Sequence, residues 1–375
     1  MARLDQICSL NMGQSPDSSS YNENGEGMPF FQGNADFGKV HPRVRVWCSA
    51  PTKVAHAGDV LISVRAPIGA LNIADRECCI GRGLAALTVN EELCNKDYLW
   101  YAIASKVDEL NSKGTGSTFK AISKSVLAET EIPLPTLAEQ QGVARQLAKV
   151  DELIGLRKEQ ITKLDQLVKS RFIELFGEPL TLLESGKTIS LEKVFSEITV
   201  GFVGEAASSY VKVGIPYLRT QNVRKGYIDF SGLIYVSEEF HGANRKSQIK
   251  PGDIVVSRVG VNRGMAAVIP QTLEEANIAN CLIIKKEKTV KSEYLAYYLN
   301  MSYGLSPKFG ASVGSAQGVI NTAILKKWEV FLPPYSQQEQ FAAFVEQTDK
   351  SKLAIQQSLE KLELLKKSLM QEYFW

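Results

Sequence analysis

Residues 137–176 read LAEQQGVARQLAKVDELIGLRKEQITKLDQLVKSRFIELF. Within them Val143, Leu147, Val150, Ile154, Ile161, Leu164, Val168 and Leu175 follow alternating steps of four and three, with Arg157 and Arg171 at the two seam positions between. That is an apolar heptad seam, and no proline interrupts it, so the stretch predicts one helix of about 40 residues, roughly 60 Å long. A seam of that length needs a partner helix. Phe341, Val345, Ile355, Leu359, Leu362, Leu369 and Tyr373, with Thr348 among them, repeat it at a constant offset of 198 residues.

The rest of the chain repeats as well. Gly58-Asp59-Val60-Leu61-Ile62-Ser63 returns as Gly252-Asp253-Ile254-Val255-Val256-Ser257, and Glu131-Ile132-Pro133-Leu134-Pro135 as Glu329-Val330-Phe331-Leu332-Pro333. Met28-Pro29-Phe30-Phe31 matches Ile215-Pro216-Tyr217-Leu218 at the shorter offset of 187, so loop lengths differ while the framework is kept. Four segments follow: a globular domain over 1–135, a helical region over 136–178, a second domain over 185–333 and a second helical region over 334–375. Strand periodicity dominates the domains: His41 to Trp47 alternates, and Val60 to Val64 and Ile254 to Val259 are short apolar runs. Short helices are expected over Lys96 to Asn111 and Ser292 to Ser302.

Only Gly177 to Gly186 links the first long helix to the second domain, ten residues that reach at most about 35 Å. The second long helix must then run back along the first. The expected fold class is therefore α+β: two duplicated, mixed, sheet-rich domains separated by a long antiparallel two-helix coiled coil with an approximate twofold axis.

Composition narrows the function. The 375 residues are 44% apolar and 22% charged, enough for two sizeable cores. Six cysteines (Cys8, Cys48, Cys78, Cys79, Cys94, Cys281) show no C-x-x-C spacing and histidines number three, so neither a zinc site nor a disulfide framework is suggested. The expectation is a cytoplasmic protein with reduced thiols, no leader and no membrane span.

Charge is uneven. Residues 185–330 carry 18 basic and 12 acidic side chains, whereas residues 1–135 carry 13 and 15. Acid-free patches hold Lys39, Arg43, Arg45 and Lys53 in Gly38 to Gly58, and Lys113, Lys120 and Lys124 in Leu110 to Ala128. Phosphates need such cations, while reading bases needs the forked or paired donors of Arg, Asn and Gln. Arg219-Thr220-Gln221-Asn222-Val223-Arg224-Lys225 offers both, and the matching element of the first domain leads into Gln32 and Asn34. Arg65, Arg82, Arg258 and Arg263 complete the basic candidates, and Ser117 lies in Gly114-Thr115-Gly116-Ser117-Thr118, whose amides could cradle a phosphate. In an arbitrary protein these would be solvated strand faces and a plain loop. Duplication favours two binding faces instead.

Catalytic signatures fail on their context. Gly310-Ala311-Ser312-Val313-Gly314 matches a nucleophile elbow, but no histidine follows it. Gly186-Lys187-Thr188 lacks the earlier phosphate-loop glycine, since Thr181 stands there. Glu91-Glu92 and Glu238-Glu239 are adjacent pairs without the features of an acid–base dyad.

Gly58 to Gly69, the Ile80-Gly81-Arg82-Gly83 turn, Gly116-Ser117-Thr118-Phe119-Lys120-Ala121-Ile122, and Ile132 to Gln140 together resemble the specificity subunits of type I restriction-modification systems. The resemblance spans essentially the whole chain. It implies two target-recognition domains, each reading one half of a split site in double-stranded DNA, and two helical regions that dock two methyltransferase subunits. It implies no catalysis and no cofactor here: S-adenosylmethionine belongs to the methyltransferase partner, and ATP and Mg to a restriction subunit where one joins. The second exit departs mildly from the family pattern, Gln337 standing where Glu139 stands in the first. A duplicated coiled-coil scaffold for protein partners is the alternative, and a nuclease or esterase a third.

Overall fold

The computed structural model describes residues 1–116, 120–305 and 318–375. They divide into two units, Met1–Glu159 with Gln356–Trp375, and Gln160–Ile355. Each unit therefore holds part of both long helices, Leu137–Phe176 and Tyr335–Phe374.

The first unit contains a four-stranded antiparallel sheet in the order Cys8–Met12, Leu84–Val89, Val60–Ser63, Leu71–Ile73. A five-stranded sheet orders Tyr21–Asn22, Val46–Cys48, Met28–Phe31, Cys78–Ile80 and Val54–Ala55. In that sheet Met28–Phe31 and Cys78–Ile80 run parallel. Ala2–Arg3 pairs with Glu131–Ile132 where the chain enters and leaves the domain. The second unit repeats this topology strand for strand. Its four-stranded order is Ile198–Val200, Cys281–Ile284, Ile254–Ser257, Ala266–Val268, and its five-stranded sheet again has one parallel pair, Ile215–Leu218 with Ala276–Ile278.

The apolar runs that mark the repeat are continuous because both faces of these strands are covered. Val60 and Ile62 point into a core closed by helical side chains such as Leu99 and Ile103, while Leu61 points into a second core with Phe31 and Ile80. Ile254 and Val256 against Val255 divide in the same way. Period-two geometry sends alternate residues to opposite layers, so a strand buried on both sides carries no polar alternation.

Three sequence expectations change. Of His41 to Trp47 only Val46–Cys48 is strand; Pro42 has no N–H to give a ladder, and the backbone bonds of His41 and Arg43 go instead to Gly38 and Asp36. The helix expected over Lys96 to Asn111 is two helices, Lys96–Ser105 and Val107–Ser112, because Ser105 Oγ bonds back to the Ala102 carbonyl and Lys106 leaves helical geometry at ψ 4°. The link from Gly177 to Gly186 contains a helix, Pro179–Glu184, with proline at its first position. It forms because Leu182 and Leu183 bury against Phe176.

Along the long helices the predicted seam residues are buried or half-buried, while Leu156, Leu167, Leu353, Leu364 and Leu365 stay exposed. Within the first unit Asp151 meets Lys366 at 2.6 Å, Arg157 Nε donates to Ser358 Oγ at 3.2 Å, and Tyr373 donates to Gln146 at 2.8 Å. Within the second, Asp165 meets Lys352 at 2.5 Å and the Phe172 and Phe341 rings lie 5.4 Å apart. In each unit rising numbers on one helix meet falling numbers on the other. Phe172, fully buried, was not part of the expected seam. It stands one residue beyond Arg171 and turns toward Tyr294, Tyr297 and Tyr298 of the second domain's helix.

Each long helix is pinned to its domain by a buried glutamine. Gln140, 0% exposed, accepts from Asn95 N at 2.7 Å and donates to the Leu93 and Pro135 carbonyls. Gln338, 2% exposed, accepts from Lys291 N at 2.9 Å and donates to Pro333 O. Glu139, by contrast, is an exposed capping-box residue bonded to Thr136, so Gln337 can replace it at the second helix without loss to the core. Gln140→Ala and Gln338→Ala should each lower the unfolding free energy by about 1–3 kcal/mol by orphaning buried backbone groups. Glu139→Gln should leave the unfolding free energy nearly unchanged. Chemical denaturation of the three variants checks this, and equal losses in all three would contradict it.

Candidate nucleic-acid interface

In the first unit the strand Met28–Phe31 runs into a short 3-10 turn, Asn34–Asp36. Asp36, 8% exposed, holds that turn: one oxygen accepts from Gln32 N at 2.8 Å and Gly33 N at 3.3 Å, and the other accepts from Arg45 Nη2. The Ile80-Gly81-Arg82-Gly83 turn lies beneath the loop. A Cβ on Gly83 would come within 2.4 Å of the Gln32 carbonyl, which instead accepts from Gly83 N at 3.1 Å. Glycine is required there for close approach. With the backbone fixed from below, the Gln32 side chain is left exposed.

Around this loop a cleft of about 420 Å³ opens. It brings together Gln32, Asn34, Arg45, Arg65 and Arg82, five predicted residues from four separate segments. Tyr21 and Phe30 also line it, stacked at 4.7 Å between ring centroids. Amide and guanidinium groups over an aromatic wall are suited to base edges and phosphates. Among the described residues no group of three or more His, Cys, Asp or Glu could hold a metal ion. All six thiols are buried, and burial pushes Cys94 up to about 11.

The other candidates of this unit stand apart. Lys39 and Arg43 are exposed on the loop following the 3-10 turn and do not line the cleft. Lys120 is exposed, and its carbonyl accepts from Ala66 N at 2.9 Å, which ties its loop to the segment carrying Arg65. Lys113 is paired with Glu109 at 2.6 Å, and this hydrogen bond holds the Glu109 carboxyl below its usual range. Its charge is thus partly neutralised, which the acid-free patch beginning at Leu110 did not anticipate. Ser117, and the stretch from Gly310 to Gly314, lie outside the described residues.

In the second unit Ile215–Leu218 again leads into a 3-10 turn, Thr220–Asn222. Here the sequence reading needs correction. Asn222 is 1% exposed: Oδ1 accepts from Arg219 N at 2.9 Å and Nδ2 donates to the Asp229 and Ser231 carbonyls. It is a turn clamp in the place of Asp36, with no donor left for a base. Arg219 donates to Gly232 O at 2.8 Å, Arg224 pairs with Asp229 at 3.2 Å, and Arg263 donates to Tyr303 Oη at 2.8 Å and to Gly318 O. Arg258 is half-buried, with its Nε enclosed and its carbonyl bonded to Ile320 N. Gln221 is exposed at the tip of the turn.

The model of the type I restriction modification DNA specificity domain matches residues 1–166 and again 196–365. The chain belongs to that family. Its two copies fall on the two halves of the duplicated fold. Among relatives, the chain is 46% identical over 155 residues to the protein described as the type I restriction enzyme MjaX specificity subunit of Methanocaldococcus jannaschii. That match covers 40% of this chain and 36% of the relative, so it spans little more than a third of that relative's length. Over 92% of this chain and 78% of the relative it is 20% identical to the type I restriction enzyme EcoBI specificity subunit of Escherichia coli. The type I restriction-modification S subunit of M. genitalium has the same fold, with a TM-score of 0.61 at 15% identity over 100% of this chain and 95% of that one. Among the described residues no helix is long and apolar enough to cross a membrane.

The turn Thr220–Asn222 predicts a split between stability and selectivity. Asn222→Ala should destabilise the chain by about 1–3 kcal/mol, because it leaves buried backbone groups unpaired. Gln221→Ala should leave the melting temperature unchanged and alter only DNA selectivity. Thermal unfolding and DNA binding, measured on both variants, test the pair; an Asn222→Ala protein of full stability would contradict the turn-clamp role.

Proposed function

We propose that this chain is the DNA sequence-recognition subunit of a type I restriction-modification assembly, reading a bipartite site with one recognition domain per half-site. The observation that carries the reading is that the family match falls twice, on two halves of one repeated topology. In support, the loop after Met28–Phe31 and the loop after Ile215–Leu218 occupy equivalent places and differ in content, as two different half-sites require.

The domains are taken as 1–135 and 185–333, with the helical regions 136–178 and 334–375 paired as an antiparallel coiled coil that spaces them. The outward leucines, Leu156, Leu364 and Leu365 in one unit and Leu167 and Leu353 in the other, offer apolar surface on which two methyltransferase subunits dock. In this reading the chain transfers nothing itself. S-adenosylmethionine is held by the methyltransferase subunits, and ATP with Mg by a restriction subunit where one joins.

Coexpression with the methyltransferase partner, followed by sequencing of methylated adenines across the genome, tests this. Methylation should fall on one bipartite sequence, and the purified chain alone should neither methylate nor cut DNA. DNA binding by the assembled complex should weaken steeply with salt, as neutralised phosphates demand. Methyl transfer by the pure chain, or unspecific methylation by the active complex, would contradict the proposal; salt-insensitive binding would favour a protein scaffold.

A further inference from the structure

The cleft of the first domain contains an arginine whose direction is fixed by a buried acid. Arg45 is 59% exposed in its side chain, yet its Nη2 is held by Asp36, whose side chain is only 11% exposed. Asp36 does not need Arg45 to perform its structural task. The same turn in the second unit is clamped by Asn222, a neutral amide bonded to the backbone groups of Arg219, Asp229 and Ser231 and not to a guanidinium. Where the amide group of Asn222 donates to two carbonyls, Asp36 instead has its second oxygen available to anchor a guanidinium.

We propose that Asp36 is a positioning residue that aims Arg45 at a guanine in the half-site read by the first domain, an assignment that rests on the DNA-reading function proposed above. A guanidinium bonded through one hydrogen of Nη2 keeps one complete edge. If that hydrogen lies beside Nε, the Nη1/Nη2 edge is free; if it lies beside Nη1, the Nε/Nη2 edge is free. Either edge presents two parallel donors, which match the O6 and N7 acceptors of guanine in the major groove and no other base. Anchoring also removes rotamer freedom from a long side chain before DNA arrives, so less is lost on binding. Arg65 and Arg82 line the same cleft and are exposed, but the carboxylate in contact with Arg45 is what singles this arginine out. The second domain has Asn222 in place of the acid at this turn and reads its half-site by other means.

The variants are Asp36→Asn, which borrows the residue that clamps the second turn, and Arg45→Lys, which keeps the charge and removes the fork. Each is assayed in the full chain with its methyltransferase partner by sequencing methylated sites, alongside thermal unfolding. Both should lose about tenfold or more of their discrimination for guanine at the same single position of one half-site. The other half-site should be unchanged, and the double variant should lose no more than Arg45→Lys alone. Should Asp36→Asn fail to fold, Arg45→Lys decides, since Asp36 remains in place. An unchanged motif with unchanged methylation in Arg45→Lys would make Arg45 a phosphate contact, and either that result or an equal loss of methylation at all sites would overturn the inference. Relaxation at a base pair without guanine would overturn it as well. No specific methylation by the unmodified chain would instead sink the DNA-reading function itself.

Discussion

Neither domain closes its apolar core alone. In the first unit Leu147 and Val150 from one long helix and Leu369 and Phe374 from the other complete the layer that covers Val60, Ile62 and Leu87. In the second, Val168, Phe172 and Phe176 meet Phe341 over Ile254, Val256 and Leu282. Full burial of each such side chain stabilises by about 1.5–3 kcal/mol, so the helices are part of both domains and not tethers between finished ones. Residues 356–375 thus belong to the same unit as residues 1–159. Changes to the helices reach the domains through these cores, whereas the loops after Met28–Phe31 and Ile215–Leu218 hang from the other sheet of each domain.

That separation suits a repeated reading device. The framework of the two halves is the same, but the turns below the loops that follow Met28–Phe31 and Ile215–Leu218 are built differently. Gly81 and Gly83 let the first loop press on the sheet, with no room for a Cβ, whereas Ala279, which bonds to the Leu218 carbonyl as Gly81 bonds to that of Phe31, buries its side chain in a core of the second domain, and the turn there is one residue shorter, Cys281 pairing with Ser257 as Leu84 pairs with Ser63. Asp36 and Asn222 clamp equivalent turns with different charge. The loop contents are free to vary because the carbonyls and amides that fix each loop are those of the backbone or of one buried residue.

What the sequence made legible follows from range. Heptad spacing is local, so the long helices and their seam residues could be read directly, as could the repeat that set the fold class. Phe172 could not, because what buries it is a helix more than a hundred residues away, at Tyr294 to Tyr298. His41 to Trp47 alternates like a strand, yet only its last residues find a partner. At the site, residue type pointed to Gln32, Asn34, Arg45, Arg65 and Arg82, which the fold gathers in one cleft. Residue type equally pointed to Asn222, whose amide is consumed by its own turn, and passed over Asp36, since an acid next to a basic patch carries no sign of which arginine it will hold. The one available hint was that Asp36 and Asn222 close the turns that follow the matched elements.

In the proposed function each half of the chain reads its own half of a DNA site. This is tested most directly by replacing residues 189–333 with residues 2–135, which begin and end at the paired strands Ile189–Ser190 with Glu329–Val330 and Ala2–Arg3 with Glu131–Ile132. With both recognition domains now the first, the sites methylated by the complex should carry the same half-sequence twice. Retention of the original unlike half-sites by a folded, active chimera would contradict the account.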